Sequence, residues 1–327
     1  MALYVLDPGL LTTLQDAGRR GYERFGVPVS GAMDWFALHA ANRLVGNPPG
    51  AAALEFLSAA PPTLVPGEDI LLAGGGAGFS IEVDGIPIPR WMAFRARAGQ
   101  TVRMQAQGVG CWGILAAAGG IDTPPVLGSR ATYLRSALGG LEGRALRPTD
   151  WLPVGLPAAH WAQLAGSALA ECVIPAYAAQ VTLRVILGPQ QNAFTPGAIQ
   201  TLLESSYTIS PNSDRMGYRL EGPRLEHLPR GADILSEGIA LGSLQVPGNG
   251  QPLLLLSDRQ STGGYTKIAT VITADLPLAA QCPPHQGQIR FRAVDVAHAQ
   301  AHLRRQTAQL QNAIQLETSA WEGETWI

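Results

Sequence analysis

The run Ser257-Asp258-Arg259-Gln260-Ser261-Thr262-Gly263-Gly264-Tyr265-Thr266-Lys267 carries side chains suited to moving a proton or holding an oxyanion. Of the 23 basic side chains, Lys267 is the single lysine and the others are arginine. An ammonium gives up its proton when its surroundings shift its pKa, whereas a guanidinium stays charged. The glycine pair ahead of it can turn backbone N–H groups toward an oxyanion. Lys267 and Tyr265 are therefore candidates for proton transfer, with Gln260, Thr262, Gly263 and Gly264 as substrate-binding positions. The competing account of Lys267 is an incidental lysine on a surface strand.

Three further stretches share this polar, glycine-rich character. Residues 9–47 gather Gln15, Asp16, Arg19, Arg20, Ser30 and Asp34 just ahead of a helix-like run. Within them, Pro28-Val29-Ser30-Gly31-Ala32-Met33 is echoed by Pro211-Asn212-Ser213-Asp214-Arg215-Met216. Residues 128–135 place Arg130, Tyr133 and Arg135 after Pro124-Pro125, which is loop chemistry. Arginine grips carboxylate and phosphate with two parallel hydrogen bonds, although a surface ion-pair cluster has the same composition. Asp214 joins the catalytic candidates, and Gln15, Asp16, Arg19, Arg130, Tyr133 and Arg215 join the substrate-binding ones.

Common signatures are missing: there is no GxxxxGK[ST] phosphate loop, no GxSxG elbow and no HExxH. Gly74-Gly75-Gly76-Ala77-Gly78 does not fit a dinucleotide fingerprint and lets backbone approach either a ligand or a neighbouring element. His298 and His302 have metal-ligand spacing but no third ligand, so no metal is expected and the pair reads as a helix surface. His39 falls inside the first helix as a structural residue.

These groups need a scaffold of short strands and tight turns, and the 38 glycines and 25 prolines supply the turns. Period-2 alternation marks strands at 79–83, 101–105, 181–187 and 288–293, and Asp84-Gly85 and Asn249-Gly250 read as hairpin turns. Helices are expected at 32–45, capped by Ser30, at 196–204 and at 296–316. Val65-Pro66-Gly67 ahead of Ile70-Leu71-Leu72-Ala73 recurs as Val246-Pro247-Gly248 ahead of Leu253-Leu254-Leu255-Leu256. Gly99-Gln100-Thr101-Val102-Arg103-Met104 likewise recurs as Gly287-Gln288-Ile289-Arg290-Phe291-Arg292, so the halves read as related β units. The expected division is a β domain at 1–165, a link within 155–179, a second β domain at 180–295, and a helix and tail at 296–327.

The net charge of −2 argues against nucleic acid as a partner. Three scattered cysteines argue for a reducing cytoplasm without disulfides. The start, MALYVLDPGLL, lacks the basic region of a signal peptide, and no apolar stretch reaches the roughly 20 residues that span a bilayer.

LQDAGRRGYERFGVPVSGAMDWFALHAANRLVGN, LGSRATYLRSALGGLEGRAL, SDRMGYRLEGP and SDRQSTGGYTKIATVI together resemble the biotin-dependent carboxyltransferase-like family. That family includes KipA, allophanate hydrolase subunit 2, the C subunit of bacterial 5-oxoprolinase (PxpC) and half of the carboxyltransferase domain of urea carboxylase. The resemblance covers nearly the whole chain. Thr266 stands where the family commonly has proline, and SAL after Arg135 replaces a glycine–aromatic stretch.

The resemblance implies a mainly β fold of two linked cyclophilin-like β-barrel domains with a few short helices and a C-terminal helix. It also implies KipI-like (PxpB) and PxpA-like partner subunits. The implied activity is ATP-dependent opening of 5-oxo-L-proline to L-glutamate. Carboxyl transfer to urea, or regulation of a kinase inhibitor in the manner of KipA, are the alternatives. ATP then belongs to the complex, because this chain has no phosphate loop. Biotin is left open, because Lys267 lies in GGYTK and not between methionines.

Overall fold

The computed structural model describes residues 1–316. Strands in the first half form two sheets. One orders Trp151–Pro153, Ala2–Asp7, Thr63–Pro66, Val102–Ala106, Phe79–Val83 and Ile86–Ile88. The other orders Thr12–Gln15, Ala53–Leu57, Trp112–Ala117, Ile70–Gly76 and Ala93–Ala96. Leu3, Val5, Phe79 and Ile81 from the first meet Leu54, Phe56, Leu72 and Leu115 from the second in one buried core.

The five-stranded sheet is covered on its outer face as well. Helix α1 (Trp35–Leu44) packs Phe36, Leu38 and Leu44 against Leu71, Ala73, Ile114 and Ala116. Ile70–Gly76 and Trp112–Ala117 are therefore buried along their whole length, which is why they read as unbroken apolar runs. Leu38 and Leu44 each contribute about 1.5–3 kcal/mol by this burial.

The second half closes into a seven-stranded barrel. Its order is Gln180–Leu187, Lys267–Val271, Ser243–Gln245, Leu253–Leu255, Gly217–Glu221, Ser206–Ile209 and Gln288–Ala293. A parallel pairing, Gln180 opposite Gln288 through Val185 opposite Ala293, closes the ring. Helices α2 (Pro196–Glu204), capped by Thr195, and α3 (Leu276–Gln281) pack on it. The chain is thus mainly β with short helices, as expected, and α4 (Val296–Asn312) follows the barrel.

Met33, Cys111 and Trp112 from the first half belong to the barrel's core cluster, so the two halves share apolar packing. Both hairpin signals hold. Asp84 and Gly85 take positive φ (49° and 84°) between paired strands, and Asn249-Gly250 joins Ser243–Gln245 to Leu253–Leu255.

Two helix boundaries differ from the sequence reading. α1 starts at Trp35, with the Asp34 carboxylate accepting from the Ala37 N–H at 2.9 Å; Ser30 has φ 55° and caps nothing. α4 ends at Asn312, and Ile314–Leu316 pairs as a strand with Ser167–Leu169. The remaining tail, 317–327, lies outside the described residues.

Candidate functional site

Residue alternation along Ala53–Leu57 turns Leu54 and Phe56 into the sheet core and aims Glu55 at the other half of the molecule. There it meets Arg215, carried by the turn between Ser206–Ile209 and Gly217–Glu221. Arg215 is buried and four of its five N–H donors are engaged. Nε donates to Asp258 at 2.9 Å, Nη2 to Asp258 at 3.2 Å and to the Gly31 carbonyl at 2.7 Å, and Nη1 to Glu55. Its carbon lies 5.8 Å from the Trp112 ring centre. Glu55 also accepts from the Met33 N–H at 2.6 Å. The echoed segments 28–33 and 211–216 thus meet through one arginine.

Burial pulls Arg215 down, but Asp258 and Glu55 hold it above the ordinary arginine value. Burial pushes Glu55 up to about 7, against the pull of Arg215 and the Met33 hydrogen bond. The seam extends to Asp34, which takes hydrogen bonds from the Tyr177 hydroxyl (2.8 Å) and Gln281 Nε2 (2.9 Å). Gln281 Oε1 accepts from the N–H groups of Cys111 and Trp112 at 3.0 and 3.1 Å. Burial raises Asp34, and it raises Tyr177 strongly, so that phenol remains a donor.

Above this seam lies a cleft of about 760 Å³ between the halves. Its lining is largely apolar, with Arg135, Asp214, Arg215 and Asp258 as its charged groups. Arg135 and Asp214 pair at 3.0 Å and are more than half exposed, so they can exchange this bond for a ligand at little cost. Tyr133 feels Asp258, Arg135 and Asp214, and burial raises it above the usual phenol range, so it keeps its proton.

Gln15, Asp16 and Arg19 do different work. Asp16 accepts from Ser129 Oγ (2.7 Å) and the Arg130 N–H (2.6 Å). Arg19 donates to the carbonyls of Val126 (2.9 Å) and Ala131 (2.8 Å), and Gln15 to that of Thr132 (3.1 Å). These side chains staple the loop 126–132 in place, with Asp258 within electrostatic reach of Arg19. The Arg130 side chain turns away to Thr123 and Asp122.

The remaining predicted residues gather elsewhere. Thr262–Tyr265 pairs with Asp233–Gly238 as a ribbon, so Gly263 and Gly264 belong to a strand ladder and not to an open oxyanion loop. Beside the ribbon, Lys267 is only 4% exposed and its Nζ donates to Glu237 at 2.5 Å, while Gln190 bridges Glu237 and the Lys267 N–H at 2.6 and 3.1 Å. Gln260 reaches Gln245 at 3.3 Å, and Tyr265 is partly exposed. Lys267 therefore begins a barrel strand as a buried side chain paired with a half-exposed carboxylate.

Among the described residues no cluster could hold a metal ion. His298 and His302 stack on α4, and His302 contacts Arg184. Of Gly74–Gly78, Gly78 lines the cleft, whereas Gly75 and Gly76 are packed against backbone. A Cβ on Gly76 would come within 2.3 Å of the Trp112 carbonyl, and one on Gly75 within 3.0 Å of that of Ala37. Close backbone packing explains these glycines. Glu55 escaped the sequence reading, although a carboxylate inside the apolar run Ala53-Leu54-Glu55-Phe56-Leu57 was the available signal.

A mainly β chain of two packed halves, with a cleft above a buried arginine–carboxylate seam, is the class that this fold and site define. Residues 25–293 match the family described as carboxyltransferase domain, subdomain A and B, and the chain belongs to that family. It is 37% identical to the 5-oxoprolinase C subunit of Escherichia coli K12, over 86% of this chain and 88% of that protein. It is also 37% identical to the protein of the same name in Haemophilus influenzae, over 92% and 94%. The crystal structure of TTHA0988 is similar at 35% identity and TM-score 0.79, covering 89% of this chain, which spans 55% of that one. The K. lactis urea amidolyase structure superposes at TM-score 0.88 and 28% identity over 95% of this chain, which spans 20% of the amidolyase.

Proposed function

We propose that this chain is the C subunit of a cytoplasmic, heteromeric ATP-dependent 5-oxoprolinase, working with KipI-like (PxpB) and PxpA-like subunits and inactive alone. The observation that carries this reading is the match to two proteins named as the C subunit of 5-oxoprolinase, over 88% and 94% of their lengths. The reaction adds water across the lactam C–N bond of 5-oxo-L-proline, leaving the γ-carboxylate and α-amine of L-glutamate. Resonance makes the lactam a poor electrophile, and coupling to ATP in the complex supplies the driving force.

In this reading the cleft between the halves receives the substrate. Arg135 exchanges its bond to Asp214 for the substrate carboxylate. Asp214, so released, is positioned to accept a proton, and Tyr133, next to the cleft-lining Leu134, keeps its own. Arg215 spends four of its five N–H donors on Asp258, Glu55 and Gly31 and so fixes the floor of the cleft that it lines. Lys267 does not fit a biotin attachment point, being buried and ion-paired.

Coexpression with the two partner subunits and an assay of ATP-dependent glutamate release tests the proposal. Release is expected only with all three chains, and none under any combination removes it. Lys267→Arg separates two roles for the lysine: lost turnover with partner binding intact supports proton transfer, and unchanged turnover makes the pair with Glu237 structural. The K. lactis superposition favours one second reading, carboxyl transfer to urea from a biotin held by another chain. Urea-dependent consumption of carboxybiotin in place of glutamate release would establish it.

A further inference from the structure

We propose that a second cavity, enclosed by α1, α4 and the loop around Ser30, binds a small oxyanion-bearing molecule, its charged head at Arg20 and Arg259 and its body against an apolar wall. The cavity measures about 340 Å³ and shares no lining residue with the cleft between the halves. The two lie back to back across one segment: Asp258 lines the cleft, while Ser257 and Arg259 line this pocket.

Its charge is unbalanced. Neither Arg20 nor Arg259 forms an ion pair among the described residues, and Arg259 spends only Nε, on the Ile239 carbonyl at 3.1 Å. Asp16 also lines the pocket, but its oxygens are committed to the Gly18 N–H, Ser129 Oγ and the Arg130 N–H. Glu23 lies within electrostatic reach of both Arg259 and Arg20 and accepts from the Gly21 N–H at 2.7 Å, so one carboxylate offsets part of the charge of two guanidiniums. His39 is shifted toward its neutral form, first by burial and then by Arg43.

Ser30 supplies the independent observation. It is 6% exposed, lines the pocket, and its buried Oγ has no hydrogen-bond partner. It also holds φ at 55°, a conformation that serine adopts at a cost. An orphaned hydroxyl beside two guanidiniums that have no ion-pair contact among the described residues matches the donors that a carboxylate or phosphate needs. Trp35, Leu38, Leu241 and Leu276 offer the apolar wall.

The test is calorimetric titration of the full chain in low-chloride buffer with 5-oxoproline, L-glutamate, inorganic phosphate and ATP. A response that Arg20→Gln or Arg259→Gln weakens supports the pocket, assigning the head as carboxylate for the first two ligands and as phosphate for the last two; a response that only Arg135→Gln weakens belongs to the cleft. Arg20→Gln and Arg259→Gln should each weaken binding about tenfold. Ser30→Gly, which accepts the positive φ and removes the hydroxyl, should weaken it a few-fold. No binding of any of the four up to about 10 mM, or binding that both arginine variants leave within about twofold, overturns the proposal. Arg20 is exposed and makes no bond among the described residues, so its variant will fold and can decide alone if Arg259→Gln does not. A chain that binds phosphate while the assembled complex releases no glutamate keeps this pocket and removes the function proposed above.

Discussion

Arg215→Met would remove the one cation that serves both Glu55 and Asp258 in the seam between the halves. Removing one member of a buried ion pair costs about 3–5 kcal/mol, because the partner charge is left desolvated. Glu55 makes that cost depend on pH. In the intact protein its pKa rises from the ordinary 4.5 to about 7. Between those values the folded state holds a proton that the unfolded state has released. The stability this supplies is full below 4.5 and lost as pH rises through 7, and it amounts to about 3 kcal/mol at 1.36 kcal/mol per pKa unit.

Without Arg215, the strongest influence holding Glu55 down is gone and its pKa climbs further above 7. From pH 7 to 8 the variant then continues to lose stability while the parent no longer does. The destabilisation should therefore be about 1.4 kcal/mol larger at pH 8 than at pH 6. Urea unfolding of both proteins at the two pH values reads this directly, and adding Glu55→Gln to the variant should erase the pH difference. A loss below about 1 kcal/mol at pH 8, or an equal loss at both pH values, would refute the reasoning.

Asp34→Ala should lower stability by about 2–4 kcal/mol in a thermal or urea melt, from a lost helix cap and two buried donors, Tyr177 and Gln281, left short of an acceptor. Asp34→Asn should recover most of the capping part. Gly76→Ala should cost more than about 3 kcal/mol, since it combines φ 101° with a 2.3 Å clash against the Trp112 carbonyl. Gly85→Ala, at φ 84° but with open space around it, should cost only about 1 kcal/mol, and similar losses at the two positions would contradict the packing account of the glycine run.

Local chemistry made much of the scaffold legible. Phe79–Val83 and Gln288–Ala293 alternate at period 2 because each has one buried face, and Asp84-Gly85 turns because both residues tolerate positive φ. Pro196 at the first position of α2 marks that helix directly. The start of α1 was less legible because Ser30 and Asp34 are both capping types, and the choice depends on a backbone turn at Ser30-Gly31 that brings Gly31 against Arg215. The seam itself was hidden, since Glu55 and Arg215 lie 160 residues apart and only the fold joins them.

The polar run 257–267 shows why composition alone does not locate a site. Residues 256–259 form a turn, closed by the Arg259 N–H on the Leu256 carbonyl at 3.1 Å, and a turn splays its successive side chains apart. Asp258 therefore faces the cleft, Ser257 and Arg259 face the second cavity, and Lys267 turns to Glu237 beside the ribbon. Residues 9–47 divide in the same way: Gln15, Asp16 and Arg19 tie down a loop, with Gln15 Oε1 and Arg19 Nη1 left over away from any described cavity, whereas Arg20 and Ser30 line one. A folded chain satisfies its buried polar groups unless something else does so. The unsatisfied members of these motifs that line a cavity are therefore better guides to a ligand than the motifs themselves.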